Sequence, residues 1–168
     1  SIALSYIKEI YKDRIILVLP SDHVVKKKRE FYKSIKIARE EMLKKGSIVT
    51  FGIKPTYPST EFGYIKVLSS GKRFNFSYKA VGFYEKPSVA KAKAYLKSKK
   101  YFWNSGMFLS QNSILWEEFR KYEKTLLSYA MNSIKKYFFE KKFLIPEKKY
   151  FYKCKKISID DAIMERSK

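Results

Sequence analysis

Arg14-Ile15-Ile16-Leu17-Val18-Leu19 is an apolar run closed by Pro20 and followed by the polar Ser21, Asp22 and His23. Such a run reads as a parallel strand buried on both faces, with polar residues gathered at its carboxyl end. Downstream, Phe31, Ile35, Ala38 and Met42 share one face at three- and four-residue spacing, which predicts an amphipathic helix from about Lys28 to Lys45. Gly46 supplies its stop. Ser47 to Ile53 then reads as a second strand, closed by Pro55 and Pro58. A strand, a helix and a strand joined over this distance predict a parallel pair with a right-handed crossover. This unit makes the fold α/β.

Working outward, Phe62 to Leu68 and Phe74 to Tyr84 read as further strands, with Ser69-Ser70-Gly71 as the turn between them. Ser88 caps a helix through about Ser98 that carries Val89, Ala92 and Leu96 inward. Tyr101 to Leu109 reads as a strand despite Asn104 and Ser105 in its centre. From Gln111 to about Tyr137 the pattern is helical, with a break expected between Glu123 and Leu127. The stretch from Phe138 to Lys156, basic and aromatic, has no clear periodicity. Ser158-Ile159-Asp160-Asp161 resembles a capping box opening a last short helix, and before the first strand the residues from Ile2 look helical. The expected architecture is one domain over residues 1–168, with a mixed, mostly parallel sheet flanked by helices.

Composition excludes several classes. At 45% hydrophobic and 17% aromatic residues, the chain is too apolar to be disordered. No apolar run approaches the roughly 18 residues that span a bilayer, and residues 1–11 lack the order of a signal peptide, so a cytoplasmic location is expected. One cysteine, Cys154, rules out an internal disulfide framework. The formal charge of +21 would by itself suggest nucleic acid or an anionic membrane surface. Yet lysine dominates, with 31 Lys to 6 Arg spread along the chain. Nucleic-acid interfaces favour arginine forks and regularly spaced stacking rings. The joint excess of Lys, Ile, Phe and Tyr has the look of an AT-rich genome, so neither a specific nucleic acid nor a membrane is an expected partner.

Four segments place polar groups where a purely structural role is strained. Asp22, just beyond a strand end, is well placed to hold a metal ion, and reads equally as a turn or helix-capping residue. The lone His23 reads as a packed or hydrogen-bonded neighbour, without a second ligand at zinc spacing. Gly63, inside an aromatic strand, signals either close backbone approach by a ligand or a bulge. Glu85 and Lys86, side by side at a strand end, suit sugar hydroxyls and a phosphate, or form a solvated pair. Asn104 in an aromatic strand can bond a sugar hydroxyl as donor and acceptor, or cap backbone internally.

Taken in order, LPSDH (19–23), VTFGIKPTYPSTEFGYI (49–65), FYEKP (83–87), YFWNSGMF (101–108) and SIDDAIMER (158–166) resemble the bacterial mannose-1-phosphate guanylyltransferases, including forms fused to a phosphomannose isomerase. The resemblance runs from about Ile2 to Arg166. It implies a nucleotide-diphospho-sugar transferase fold related to the Rossmann type, GTP and mannose-1-phosphate as substrates, and Mg²⁺ as cofactor. By position, Asp22 would be the metal-binding and catalytic aspartate, Gly63 a backbone contact to the sugar and Glu85 the grip on sugar hydroxyls. Lys86 would be a catalytic group facing the sugar phosphate, and Asn104 the sugar-binding asparagine. The chain departs from the family pattern at Ser21, Ser59, Glu61 and Asp161, where alanine, glutamate, glycine and tyrosine are usual. The family's glycine-rich phosphate loop and second metal-binding aspartate have no counterpart in these residues. The expectation is therefore a central part of the domain, incomplete at both ends and served by a homo-oligomer or complementing subunit. A noncatalytic sugar-phosphate-binding or interaction module is the alternative expectation.

Overall fold

The computed structural model describes residues 1–68 and 77–167. The expected turn at Ser69-Ser70-Gly71 and the start of the strand at Phe74 lie outside them. The chain divides into two compact units, residues 1–16 with 111–167 and residues 17–110.

The second unit carries α2 (Lys28–Lys45), β2 (Val49–Ile53), β3 (Tyr64–Val67), β4 (Ala80–Tyr84) and α3 (Val89–Ser98). Its boundaries fall within β1 (Ile15–Val18) and at the end of β5 (Tyr101–Gln111). The helix α2 has the predicted limits. Ala38 and Met42 are buried, its lysines face solvent, and Gly46 ends it in the left-handed region with its N–H bonded to the Met42 carbonyl at 2.8 Å. Ser88 caps α3 through its hydroxyl, which accepts from the Lys91 N–H, and Ala92 is fully buried. Val89, expected inward, is instead 55% exposed as the first residue of α3.

The five-stranded sheet has the order β1-β5-β3-β4, with β2 also paired to β5. The class is α/β as expected, but the strand directions differ from the expectation. The pairs β2–β5, β3–β4 and β3–β5 are all antiparallel. β1 and β2 do not pair with each other as a parallel neighbour pair would; each pairs with β5. The physical reason is the length of β5, whose 11 residues offer two hydrogen-bonding edges to three partners. β1 also departs from full burial, with Ile15 and Leu19 substantially exposed, because it lies at the end of the strand order and is paired along one side.

The first unit is helical: α1 (Ile2–Tyr11), α4 (Asn112–Tyr122) and α5 (Lys124–Ile134) pack on one another. Leu115, Trp116 and Phe119 of α4 and Leu126, Leu127, Ala130 and Ile134 of α5 form its core. The expected break falls at Glu123. Asp13 reaches the first turn of α4, its carboxylate accepting from the N–H and hydroxyl of Ser113 at 3.0 and 2.9 Å. The unassigned stretch resolves into a hairpin, β6 (Phe138–Glu140) with β7 (Phe143–Ile145), and the short α6 (Lys148–Phe151). Ser158 caps the last element as read, its hydroxyl accepting from the Asp161 N–H at 3.1 Å, although Asp160–Met164 is a π-helical turn. No helix among the described residues is long and apolar enough to cross a membrane.

Candidate active site

Because β3 runs antiparallel to both β4 and β5, the start of β3, the end of β4 and the middle of β5 meet at one sheet edge. Tyr64 is opposite Tyr84 on one side and opposite Trp103 on the other. The residues one step beyond these pairs are Gly63, Glu85 and Asn104. The Asn104 N–H donates to the Gly63 carbonyl at 2.7 Å. A Cβ placed on Gly63 would lie 3.5 Å from the Asn104 Cβ and would collide with the Glu85 carboxylate. The missing side chain is thus what lets Glu85 lie over the backbone. Neither a bulge nor an obligatory ligand is needed to explain this glycine: the register shift of β3 falls at Lys66/Val67.

Asn104 stands where β5 loses regular pairing. Gly52 is opposite Asn104 and Thr50 opposite Phe108, so three residues of β5 bulge against one of β2. The bulge contains Gly106, whose φ of +69° favours glycine. Its polar groups are met locally. The Asn104 Oδ1 accepts from the Gly106 N–H at 3.1 Å, and the Ser105 hydroxyl donates to the Phe51 carbonyl at 2.5 Å. The Thr50 hydroxyl donates to the Met107 carbonyl at 3.2 Å. Internal backbone capping by Asn104 is therefore present, and it fixes the side-chain oxygen toward the bulge.

Lys86 follows Glu85 with a φ of +40°, unusual for a residue with a side chain, and is exposed beside buried Pro87. Asp22 lies in an exposed turn just past β1. It is not the cap of α2, which is Lys27, so of the two structural readings only the turn holds. The link from its loop to the other residues is Pro20, 3.7 Å from where a Cβ on Gly106 would sit. Thus Gly63, Glu85 and Asn104 are brought together by direct contacts, and Asp22 lies on the turn that follows Pro20. His23 is exposed rather than packed.

Two features of the neighbourhood escaped the sequence reading. The Tyr64 hydroxyl, fully buried, donates to the Ser59 carbonyl at 2.9 Å, and the Glu61 N–H donates to the Ser59 hydroxyl at 3.2 Å. Ser59 and Tyr64 thereby shape the loop entering Gly63. Trp103 meets Tyr57 and Phe62 edge-on, with ring centroids 4.9 and 5.1 Å away. Its buried indole N–H has no hydrogen-bond partner. The clustering of aromatics around residues 57–64 was the available signal for both.

The chain as a whole is similar to known proteins. Residues 2–144 match the family model described as nucleotidyl transferase. The chain belongs to the nucleotidyl transferase family. A mannose-1-phosphate guanylyltransferase of Escherichia coli is 36% identical over 157 residues, covering 92% of this chain and 33% of that protein. Among solved structures, a mannose-6-phosphate isomerase from Helicobacter pylori superposes with a TM-score of 0.81 at 30% identity, covering 98% of this chain and 63% of that one. A Thermus thermophilus protein titled a mannose-1-phosphate geranyltransferase gives 0.78 at 28% identity, covering 98% and 45%. The chain thus spans about a third of the length of the curated relative.

Proposed function

We propose that this chain carries part of a mannose-1-phosphate guanylyltransferase, which joins GTP and mannose-1-phosphate to give GDP-mannose and pyrophosphate. The observation that carries the proposal is the meeting of Gly63, Glu85 and Asn104 in a chain whose relatives bear that name. A carboxylate accepts hydrogen bonds from sugar hydroxyls, and an amide both donates and accepts. Glu85 over the bare backbone of Gly63, with Asn104 alongside, is a surface of the right chemistry for a pyranose.

In the reaction, a phosphate oxygen of mannose-1-phosphate attacks the α-phosphorus of GTP. The new P–O bond forms as the bond to the bridging oxygen of pyrophosphate breaks. The protein's task in such transfers is positioning and charge compensation. Glu85, Gly63 and Asn104 hold the sugar, and the Lys86 ammonium pairs with its phosphate as a point charge. Among the described residues no group of three or more metal-binding side chains occurs, so Asp22 is no metal cage by itself. It fits Mg²⁺ in the mode where one carboxylate and the substrate phosphates share the ion. When bound there, the ion would neutralise charge on the phosphates.

The test is pyrophosphate release from GTP and mannose-1-phosphate with Mg²⁺, using the full reading frame that carries these residues. Glu85→Ala and Asn104→Ala are expected to raise the KM for mannose-1-phosphate at least about tenfold while leaving that for GTP nearly unchanged. Equal KM values for mannose-1-phosphate in the variants would reject the sugar-site assignment, and absence of turnover with any sugar phosphate would reject the reaction.

A further inference from the structure

The β6–β7 hairpin places Phe138, Phe139 and Phe143 at 57%, 58% and 69% exposure. Glu140 is opposite Phe143, and Phe138 is opposite Ile145, so Phe138 and Phe143 project from one face of the ribbon. Phe139, opposite Leu144, projects from the other. The two-residue turn is Lys141-Lys142, and Lys135 and Lys136 precede the first strand. Scattered single apolar residues on a surface are ordinary, whereas three phenyl rings more than half exposed on one short ribbon are not.

We propose that this hairpin is a docking element for an anionic lipid surface, inserting its phenyl rings at the headgroup level while the lysines pair with lipid phosphates. Three observations select this partner. The exposed rings lie on both faces of a short ribbon, which suits insertion among headgroups and does not form the flat, one-faced platform on which successive bases stack. The cations are all lysines on flexible stems, suited to non-directional attraction by a charged surface and able to extend their charged ends while their stems lie along apolar material. Glu140 is the single acid between Lys135 and Lys142, so a second copy of the same ribbon would be repelled. No membrane partner is expected from the sequence, where the lysines are spread along the whole chain and no apolar segment is long enough to span. A surface contact needs none, and the proposal stands independently of the sugar-nucleotide reading.

Co-sedimentation of the chain with vesicles of phosphatidylcholine containing about 30% phosphatidylserine, at about 0.1 M salt, tests this. Binding is expected there and not to pure phosphatidylcholine vesicles. The double variant Phe138→Ser/Phe143→Ser should weaken it at least about tenfold, and Lys141→Gln/Lys142→Gln several-fold with a shallower salt dependence. All four positions are exposed, and circular dichroism with thermal melts verifies that the fold is kept. If the phenylalanine variant bound anionic vesicles as tightly as the unaltered chain, only the overall charge of +21 would be at work and the proposal would be wrong. No binding to anionic vesicles, or equal binding to neutral ones, would also overturn it. Poly-U binding that drops with the phenylalanine substitutions while vesicle binding does not would make the ribbon a nucleic-acid surface instead.

Discussion

Gly63 and Asn104 are joined by a backbone hydrogen bond of 2.7 Å, from the Asn104 N–H to the Gly63 carbonyl. That bond holds the bare Cα of Gly63 against the middle of β5 at the point where β5 begins to bulge. Glu85 closes over the same Cα from the end of β4. Three strands therefore fix three residues that lie far apart in the chain, and the order of the sheet is what aligns them.

Gly63→Ala separates folding from binding. The added methyl collides with the Glu85 carboxylate, which is the tip of a flexible and exposed side chain. Glu85 can turn away, so unfolding stability is expected to change by less than about 1 kcal/mol. The carboxylate then no longer lies over the backbone, and mannose-1-phosphate affinity should fall at least about tenfold. Thermal melts and calorimetric titration read the two effects. A loss of stability with binding intact would show that Glu85 does not act from this position.

Asn104→Ala should do both kinds of damage. The Gly106 N–H loses the acceptor it now has at 3.1 Å, which costs about 1–3 kcal/mol where water cannot replace it. Asn104→Asp retains an acceptor and should recover most of that stability in urea unfolding. It would add a second carboxylate near Glu85, so sugar-phosphate binding should stay weak.

Much of this was legible from sequence where the signal is local. The stripe Phe31, Ile35, Ala38 and Met42 with Gly46 located α2 because one face and one stop suffice to define a helix. Gly63, Glu85 and Asn104, which meet at one sheet edge, were legible as a glycine within an aromatic strand and as polar groups in or at the end of one. Strand direction was not, because it depends on β5 pairing with β2 and β3 across large separations, and nothing in Val49–Ile53 records which neighbour it takes. The hairpin was missed because Phe138, Phe139 and Phe143 break the alternation of apolar and polar residues that marks a half-buried strand. The exposure of Ile15 and Leu19 was missed because an apolar run reports an affinity for burial, not its extent.

Gly52→Ala probes the other flank of the bulge. A Cβ there would lie 2.7 Å from the Phe102 Cβ, an atom that cannot swing aside without moving β5. Overpacking of this kind costs about 1–3 kcal/mol. The midpoint of denaturant unfolding should fall accordingly, and more than in Gly63→Ala, since there the obstructing atom is the end of a long side chain.

Burial pushes the Cys154 thiol up from its ordinary range. Less thiolate is then present at a given pH, so alkylation by iodoacetamide near pH 8 should be slower than for a free thiol and should reach the free rate in denaturant. The sign for stability follows. The folded state holds its proton more tightly, so this contribution is complete below the ordinary thiol range and is lost as pH rises through the raised value. Cys154→Ser should flatten the decline of stability in that alkaline window, read by melts at successive pH values.

Lys86 offers a way to tell strain from charge. Its φ of +40° lies in the region that side chains avoid, and such a residue costs of order 1 kcal/mol relative to glycine. Lys86→Gly relieves the strain, a gain that at positive φ outweighs the greater freedom of the unfolded chain. Lys86→Ala keeps the strain and removes the same ammonium group. The two variants should therefore differ in stability, with glycine higher by about 0.5–1 kcal/mol, while losing mannose-1-phosphate affinity to the same extent. Equal stabilities would mean that the left-handed conformation is not held in solution. Equal stabilities together with unchanged affinity would remove Lys86 from the site altogether, leaving phosphate recognition to another cation. A difference in stability with a shared loss of affinity would instead show that the fold maintains an unfavourable backbone so that this lysine follows directly on Glu85.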